Sequence, residues 1–313
     1  MPHDHHDHAH GHGHHHHHHH APVDAGRAFM LGILLNVVFI VVEVFWGIKA
    51  NSLALLADAG HNVSDALSLA LSWGAAALGR RKPSGRFTYG LGGSSIIASL
   101  TNAVTLLIVV GAIAWQSILR LATPAPASGL TIIAVAAAGV LINGATAMLF
   151  LRGKEKDLNI RSAYLHMASD TAISLGVAVS GAVILQTHWF WLDPAVSLAI
   201  SILIVWSTFG LLQESLSLSL QAVPKSIEPE KVRAVLAAQT GVKEVHDLHI
   251  WAMSTTEIAL SAHLVMTEGH PGDAYIKELA HRLEHDFSIN HTTIQIELGD
   301  SGAECPLAPD HVV

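Results

Sequence analysis

Two pairs of residues have the types and the spacing to hold a metal ion: His61 with Asp65, and His166 with Asp170. Residues four apart on a helix stand one above the other on the same face, so each pair presents an imidazole and a carboxylate together. Two imidazole nitrogens and two carboxylate oxygens make a tetrahedral set for Zn2+, with bonds of about 2.0 to 2.2 Å, and they also suit Cd2+ and Co2+. Hard, octahedral Mg2+ prefers more oxygen and water. Both pairs lie inside otherwise apolar segments, where an ionised carboxylate costs on the order of several kcal/mol unless it is paired, wetted or bound to an ion. One such pair fits equally well a histidine bonded to a backbone carbonyl and an aspartate at a helix kink. The repeated spacing favours the metal. Binding needs neutral imidazole and ionised carboxylate, so protons and metal compete for the same atoms. A site opened alternately to the cytoplasm and to the exterior would exchange one for the other. Asp58, three residues before His61, is read as support for a ligand imidazole or as lining for the approach, since four ligands already complete a tetrahedron.

The elements that must position these residues are membrane helices. Half of the 313 residues are hydrophobic and only 13% are charged, which is too apolar for an ordinary soluble chain of this size. Six apolar segments of about one bilayer thickness follow one another: Ala28 to Ile48, Leu53 to Leu78, Ser94 to Leu119, Leu130 to Leu151, Ala163 to Gln186 and Ala195 to Leu216. The second carries His61 and Asp65, and the fifth carries His166 and Asp170. Arg80, Arg81, Lys82 and Arg86 lie between the second and third segments, and Arg152, Lys154, Lys156 and Arg161 between the fourth and fifth. The positive-inside rule therefore puts both termini in the cytoplasm, with the protein in the inner (plasma) membrane. The first twenty residues have no apolar core, so the first span serves as its own insertion signal.

After Val223-Pro224 the composition changes. From Lys225 onward there are 6 Lys/Arg against 14 Asp/Glu, which accounts for the whole formal charge of -8 and argues against nucleic acid as a partner. The periodicity there runs helix, strand, strand, helix, strand, a small α+β domain with helices on one face of a sheet. At the other end, residues 1 to 20 hold 13 of the 24 histidines. His14 to His20 alone resembles a purification tag. The irregular His-Asp run before it, and the lack of a linker after it, favour a native metal-collecting tail without a fold. The chain thus divides into a His-rich cytoplasmic tail (1–27), a six-helix transmembrane domain (28–216), a cytoplasmic domain (217–298) and a C-terminal tail (299–313). Cys305 is the one cysteine, so there is no intramolecular disulfide, and its polar surroundings read as a spare thiol rather than a ligand.

Leu56-Ala57-Asp58-Ala59-Gly60-His61 through Asp65, the second pair at His166 and Asp170, Asp193-Pro194, and His246-Asp247-Leu248-His249-Ile250-Trp251 together resemble the cation diffusion facilitator family, in its CzcD-like, zinc-transporting branch. The resemblance covers Ala28 to Leu298. It implies a dimeric metal/proton antiporter whose cytoplasmic domains are ferredoxin-like, with Zn2+ as its main substrate. It also implies a regulatory zinc site in that domain at His246, His263 and Glu297, with His291 a further candidate and His249 a weaker one. His246 and His263 would meet across the sheet. The sequence departs from the family after Phe87-Thr88-Tyr89-Gly90, where Gly93 and Ser95 stand in place of a common Arg and Glu. A membrane metal sensor or storage protein is the alternative reading. An intramembrane metalloprotease is not supported, because no His-Glu-x-x-His occurs.

Overall fold

The computed structural model describes residues 23–151, 158–299 and 305–308; the histidine-rich segment and the basic residues Arg152, Lys154 and Lys156 lie outside them. Six long helices come first: α1 (Val23–Lys49), α2 (Leu53–Gly79), α3 (Ser94–Ala122), α4 (Gly129–Phe150), α5 (Leu158–Thr187) and α6 (Leu192–Ser219). They match the six apolar segments of the sequence in order and position. Among the described residues, α3, α4, α5 and α6 contain stretches long and apolar enough to cross a membrane. Their surface is the inverse of a soluble protein's: Trp73, Leu141, Met148 and Trp206 stand largely exposed, while Glu43, Asp58, Asp170 and Asp193 are buried. Such an apolar exterior needs lipid rather than water, and the chain is an integral membrane protein.

Small and polar side chains hold the helices together, as expected where lipid is as apolar as leucine. α3 meets α6 through Ser117, which donates to Ser197 at 2.9 Å, and through the Ser99–Ser215 hydroxyl pair at 2.8 Å. α4 meets α5 where Gly129 and Gly181 let the backbones touch. A Cβ on Gly129 would stand 2.7 Å from the Gly181 carbonyl oxygen, so no other residue fits there without moving one helix. α2 is fixed at its start by a residue 140 positions away. The Asp193 carboxylate of α6 accepts hydrogen bonds from the Leu53 N–H at 2.7 Å, the Ala54 N–H at 3.3 Å and the Ser52 hydroxyl. Ser52 in turn accepts from the Leu55 N–H at 3.2 Å. These acceptors satisfy the otherwise orphaned first amides of α2. Arg120 closes the turn before it by donating to the Asn51 carbonyl oxygen at 2.7 Å.

The C-terminal part is a small α+β domain of α7 (Pro229–Ala237), β1 (Glu244–Ala252), β2 (Ile258–Val265), α8 (Asp273–Phe287) and β3 (Ile289–Glu297). The strands form one sheet in the order β1-β2-β3, with β1 antiparallel and β3 parallel to β2. Val232 and Leu236 of α7 and Leu279 and Leu283 of α8 bury against Val245, Leu260 and Leu264 of the sheet, giving the domain its own core. A bulge between His246 and His249 places Asp247 in the left-handed region at φ 50. The tip of the β1–β2 hairpin rests on the start of α3: the Thr255 N–H donates to the Ser95 hydroxyl at 3.0 Å, and Tyr89 packs edge-on against His291.

Candidate metal centres

His61 and Asp65 lie one turn apart on α2, and His166 and Asp170 one turn apart on α5, so the sequence spacing becomes two facing ligand pairs. The four side chains converge. His61 Nε2 is 3.3 Å from Asp170 Oδ1 and 3.7 Å from Asp65 Oδ2; His166 Nε2 is 3.2 Å from Asp65 Oδ2 and 3.7 Å from Asp170 Oδ2. One ligand atom from each lies within 4.8 Å of the others. A tetrahedron with arms of about 2.0 to 2.1 Å has edges of about 3.3 to 3.4 Å, so the four His–Asp separations are close to those of donors around one small cation.

The access to this cluster is one-sided. Asp170 is 2% exposed, whereas Asp65 is 28% and His166 42% exposed. Beyond Asp170, toward the end of the bundle where Asp193 caps α2, Asp58, Ala57, Leu55, Ala54 and Ser174 are all buried. The open end is the one from which α2 leaves toward Gly79 and α5 begins at Leu158, the end that carries the loop leading into α3 and, on it, the C-terminal domain. The Asp58 carboxyl does not reach an imidazole: it accepts from the Ser174 hydroxyl at 2.9 Å and faces Glu43, while His61 Nδ1 has no hydrogen-bond partner.

The second cluster is in the C-terminal domain. His246 and His263 are directly paired across β1 and β2, their ring centroids 5.2 Å apart. Glu297, at the end of β3, bridges them: Oε2 lies 3.4 Å from His246 Nε2, and Oε1 lies 2.9 Å from His263 Nδ1. His246 is 3% exposed, yet neither of its ring nitrogens makes a hydrogen bond. A buried imidazole left without partners beside a carboxylate and a second imidazole fits a metal ligand. Burial alone would raise the Glu297 carboxyl; the Cys305 hydrogen bond and the two imidazoles outweigh it and hold the group below its ordinary range. Glu297 therefore stays ionised, and able to bind a cation, at a lower pH than a free glutamate.

The geometry makes two corrections to the sequence reading of this cluster. His291, a candidate ligand by resemblance, is paired with Ala259 at the far end of β3 and packs against Tyr89, away from the cluster. Cys305 is not a spare thiol: its Sγ lies 3.7 Å from His263 Nδ1 and belongs to the same group of ligand atoms as His246, His263 and Glu297. Gly299 follows β3 at φ 65, and Cys305, the next described residue, lies beside His263. The Leu307 N–H lowers the thiol's pKa, but burial and the Glu297 carboxylate prevail and hold it above its ordinary range. A cation held here would take Cys305 as its thiolate and release the thiol proton. We expect Cys305→Ser in the full-length protein to weaken zinc binding at this cluster by about tenfold, read by competition with a chelating dye. Unchanged affinity would remove Cys305 from the ligand set. Sequence reading also passed over Asp247. From the bulge, its carboxylate lies 2.8 Å from His249 Nε2 and 3.4 Å from His263 Nε2, which turns His263 Nδ1 toward Glu297.

The chain is similar to known proteins over most of its length. Residues 29–218 match the family model described as the cation efflux transmembrane domain, and residues 224–298 match that of the cation efflux protein cytoplasmic domain. The cation efflux system protein CzcD of Alcaligenes sp. is 34% identical over 87% of this chain and 86% of its own length. The zinc transporter ZitB of Escherichia coli is 33% identical over 86% of this chain and 87% of its own. A cadmium, cobalt and zinc/H(+)-K(+) antiporter of Bacillus subtilis is 29% identical over 87% of this chain and 88% of its own. The chain belongs to the cation diffusion facilitator family, as a CzcD/ZitB-like member. That is a family of cation efflux transporters, not of enzymes.

Proposed function

We propose that this protein exports Zn2+ from the cytoplasm in exchange for protons, by alternating access of the His61, Asp65, His166 and Asp170 cluster. The observation that carries this reading is the cluster itself: four donors at single-ion spacing, deep between two apolar helices, open at one end and sealed at the other. A storage or sensing protein has no need of ligands at that depth. The zinc, cadmium and cobalt named for the relatives make Cd2+ and Co2+ further substrates. The open end faces the cytoplasm in this reading, with both termini on that side of the inner membrane and all six long helices spanning it. The four-part division at residues 27, 216 and 298 follows from the same topology. The C-terminal domains pair two copies of the chain in ferredoxin-like fashion, and zinc at His246, His263, Glu297 and Cys305 regulates transport.

In inverted vesicles, Zn2+ accumulates when the lumen is made acidic, and a protonophore collapses the accumulation. Uptake indifferent to the pH gradient would overturn the exchange. Deleting residues 3–20 lowers zinc uptake when zinc is scarce and leaves the maximal rate unchanged, since the tail only raises the local supply of metal. An identical concentration dependence with and without the tail would show that the histidines take no part.

A further inference from the structure

Behind the metal cluster, on its sealed side, two carboxyl groups face each other. Glu43 of α1 and Asp58 of α2 are both 0% exposed. Asp58 stands one turn before Asn62 on the same face of α2, and Glu43 of α1 faces both. Asn62 Nδ2 donates to Glu43 Oε2 at 3.0 Å, and the Ser174 hydroxyl donates to Asp58 Oδ2 at 2.9 Å. The remaining oxygen of each group, Glu43 Oε1 and Asp58 Oδ1, is buried without a partner.

Two carboxylates with no ammonium or guanidinium beside them among the described residues do not both stay ionised in a dry core, because like charges and desolvation act in the same direction. A single O–H between them supplies a donor where donors are missing. The surroundings decide which group carries it. Asp58 is one turn from His61, whose imidazole favours a negative charge, and receives the Ser174 hydroxyl; Glu43 has only the Asn62 amide. The other ionisable group acting on Asp58 is Asp170 of α5, and α4, which packs on α1, carries no ionisable residue.

We infer that Glu43 is a carboxylic acid hydrogen-bonded to the Asp58 carboxylate, and that the pair is a proton site distinct from the metal ligands. Neither group makes a hydrogen bond to His61, Asp65, His166 or Asp170. The pair lies one turn beyond His61 on α2 and, through Ser174, one turn beyond Asp170 on α5, toward the end capped by Asp193. A proton entering from that side meets Glu43 and Asp58 before it meets the ligands. A cation arriving at the ligands stabilises a second negative charge one turn away. The Glu43 O–H bond then breaks, its electron pair stays on the carboxylate, and the proton leaves to water. When the cation departs, a proton from the outer side restores the acid.

This inference deepens the exchange reading and rests on it, so the experiment separates the two. Reconstituted full-length wild type must first show zinc transport driven by a pH gradient; if it does not, the exchange reading fails. Given that coupling, Glu43→Gln keeps an acceptor for Asn62 but has no proton to give. We expect Glu43→Gln still to bind Zn2+ at the transport site, but more weakly at neutral pH and with a shallower pH dependence, the protons released per zinc bound to fall by about one, and gradient-driven uptake to fall roughly tenfold. Glu43→Asp retains part of the coupling. A Glu43→Gln protein with wild-type proton release and uptake overturns the inference. Should that variant not fold, infrared spectra of wild type labelled with 13C-glutamate decide the matter. A protonated glutamic acid band at neutral pH is expected, and its absence overturns the inference.

Discussion

Asp65→Ala and Asp170→Ala each reduce gradient-driven Zn2+ uptake into inverted vesicles to the level of vesicles without the protein. Each carboxylate serves both imidazoles: Asp65 lies within 3.7 Å of His61 and His166, and so does Asp170. Removing either takes away one of four ligands and leaves the histidines with half of their anionic partners. Loss of a supporting residue around a metal already costs about 10- to 100-fold in affinity, and loss of a ligand costs more. The two variants should differ in their effect on the fold. Asp170 is buried, so its alanine form leaves a cavity and takes from His61 the nearer of its two carboxylates, whereas Asp65 is part-exposed and water can replace it. Asp65→Ala should therefore keep the wild-type melting temperature in detergent without metal, and Asp170→Ala should melt lower. Measurable Zn2+ transport by either variant would show that the cluster is not the transport site.

Much of this was legible because it is local. A spacing of four residues on a helix fixes which side chains share a face, and the second copy of that spacing identified α5 as the partner of α2 before any contact was known. The pairing of His246 with His263 was likewise readable from two alternating strands joined by a short hairpin. What escaped depends on distance along an element or on a contact from outside one. His291 and Glu297 share a face of β3, but six residues of strand separate them by about 20 Å, so only one reaches the histidines. Cys305 joins them from beyond the end of β3, outside any helix or strand, and no periodicity announces a contact of that kind. Asp58 could be placed on the ligand face of α2 from its spacing. Its partners could not, since Glu43 and Ser174 belong to helices whose rotation is set by packing.

Asp193 is the other position that no local pattern reveals, and its replacement is expected to have the largest effect on stability. Its carboxylate alone satisfies three donors at the start of α2: the Ser52 hydroxyl and the Leu53 and Ala54 amides. All of these groups are buried, so Asp193→Ala leaves them without water to replace the acceptor. An unsatisfied buried donor costs about 1 to 3 kcal/mol, and three together come to several kcal/mol. That is a large share of the roughly 5 to 15 kcal/mol that holds a folded domain together. It also releases the end of α2 that sets the rotation of His61 and Asp65, two and three turns further along. The variant should therefore appear in the membrane at a small fraction of the wild-type level, and its detergent-solubilised form should melt well below the wild type. Asp193→Asn separates the causes. Its amide oxygen can still accept from one or two of the three donors, so it should restore much of the yield, while the lost charge leaves a smaller fall in melting temperature. An Asp193→Ala protein that accumulates and melts like the wild type would mean that α2 holds its place through its side-chain packing alone.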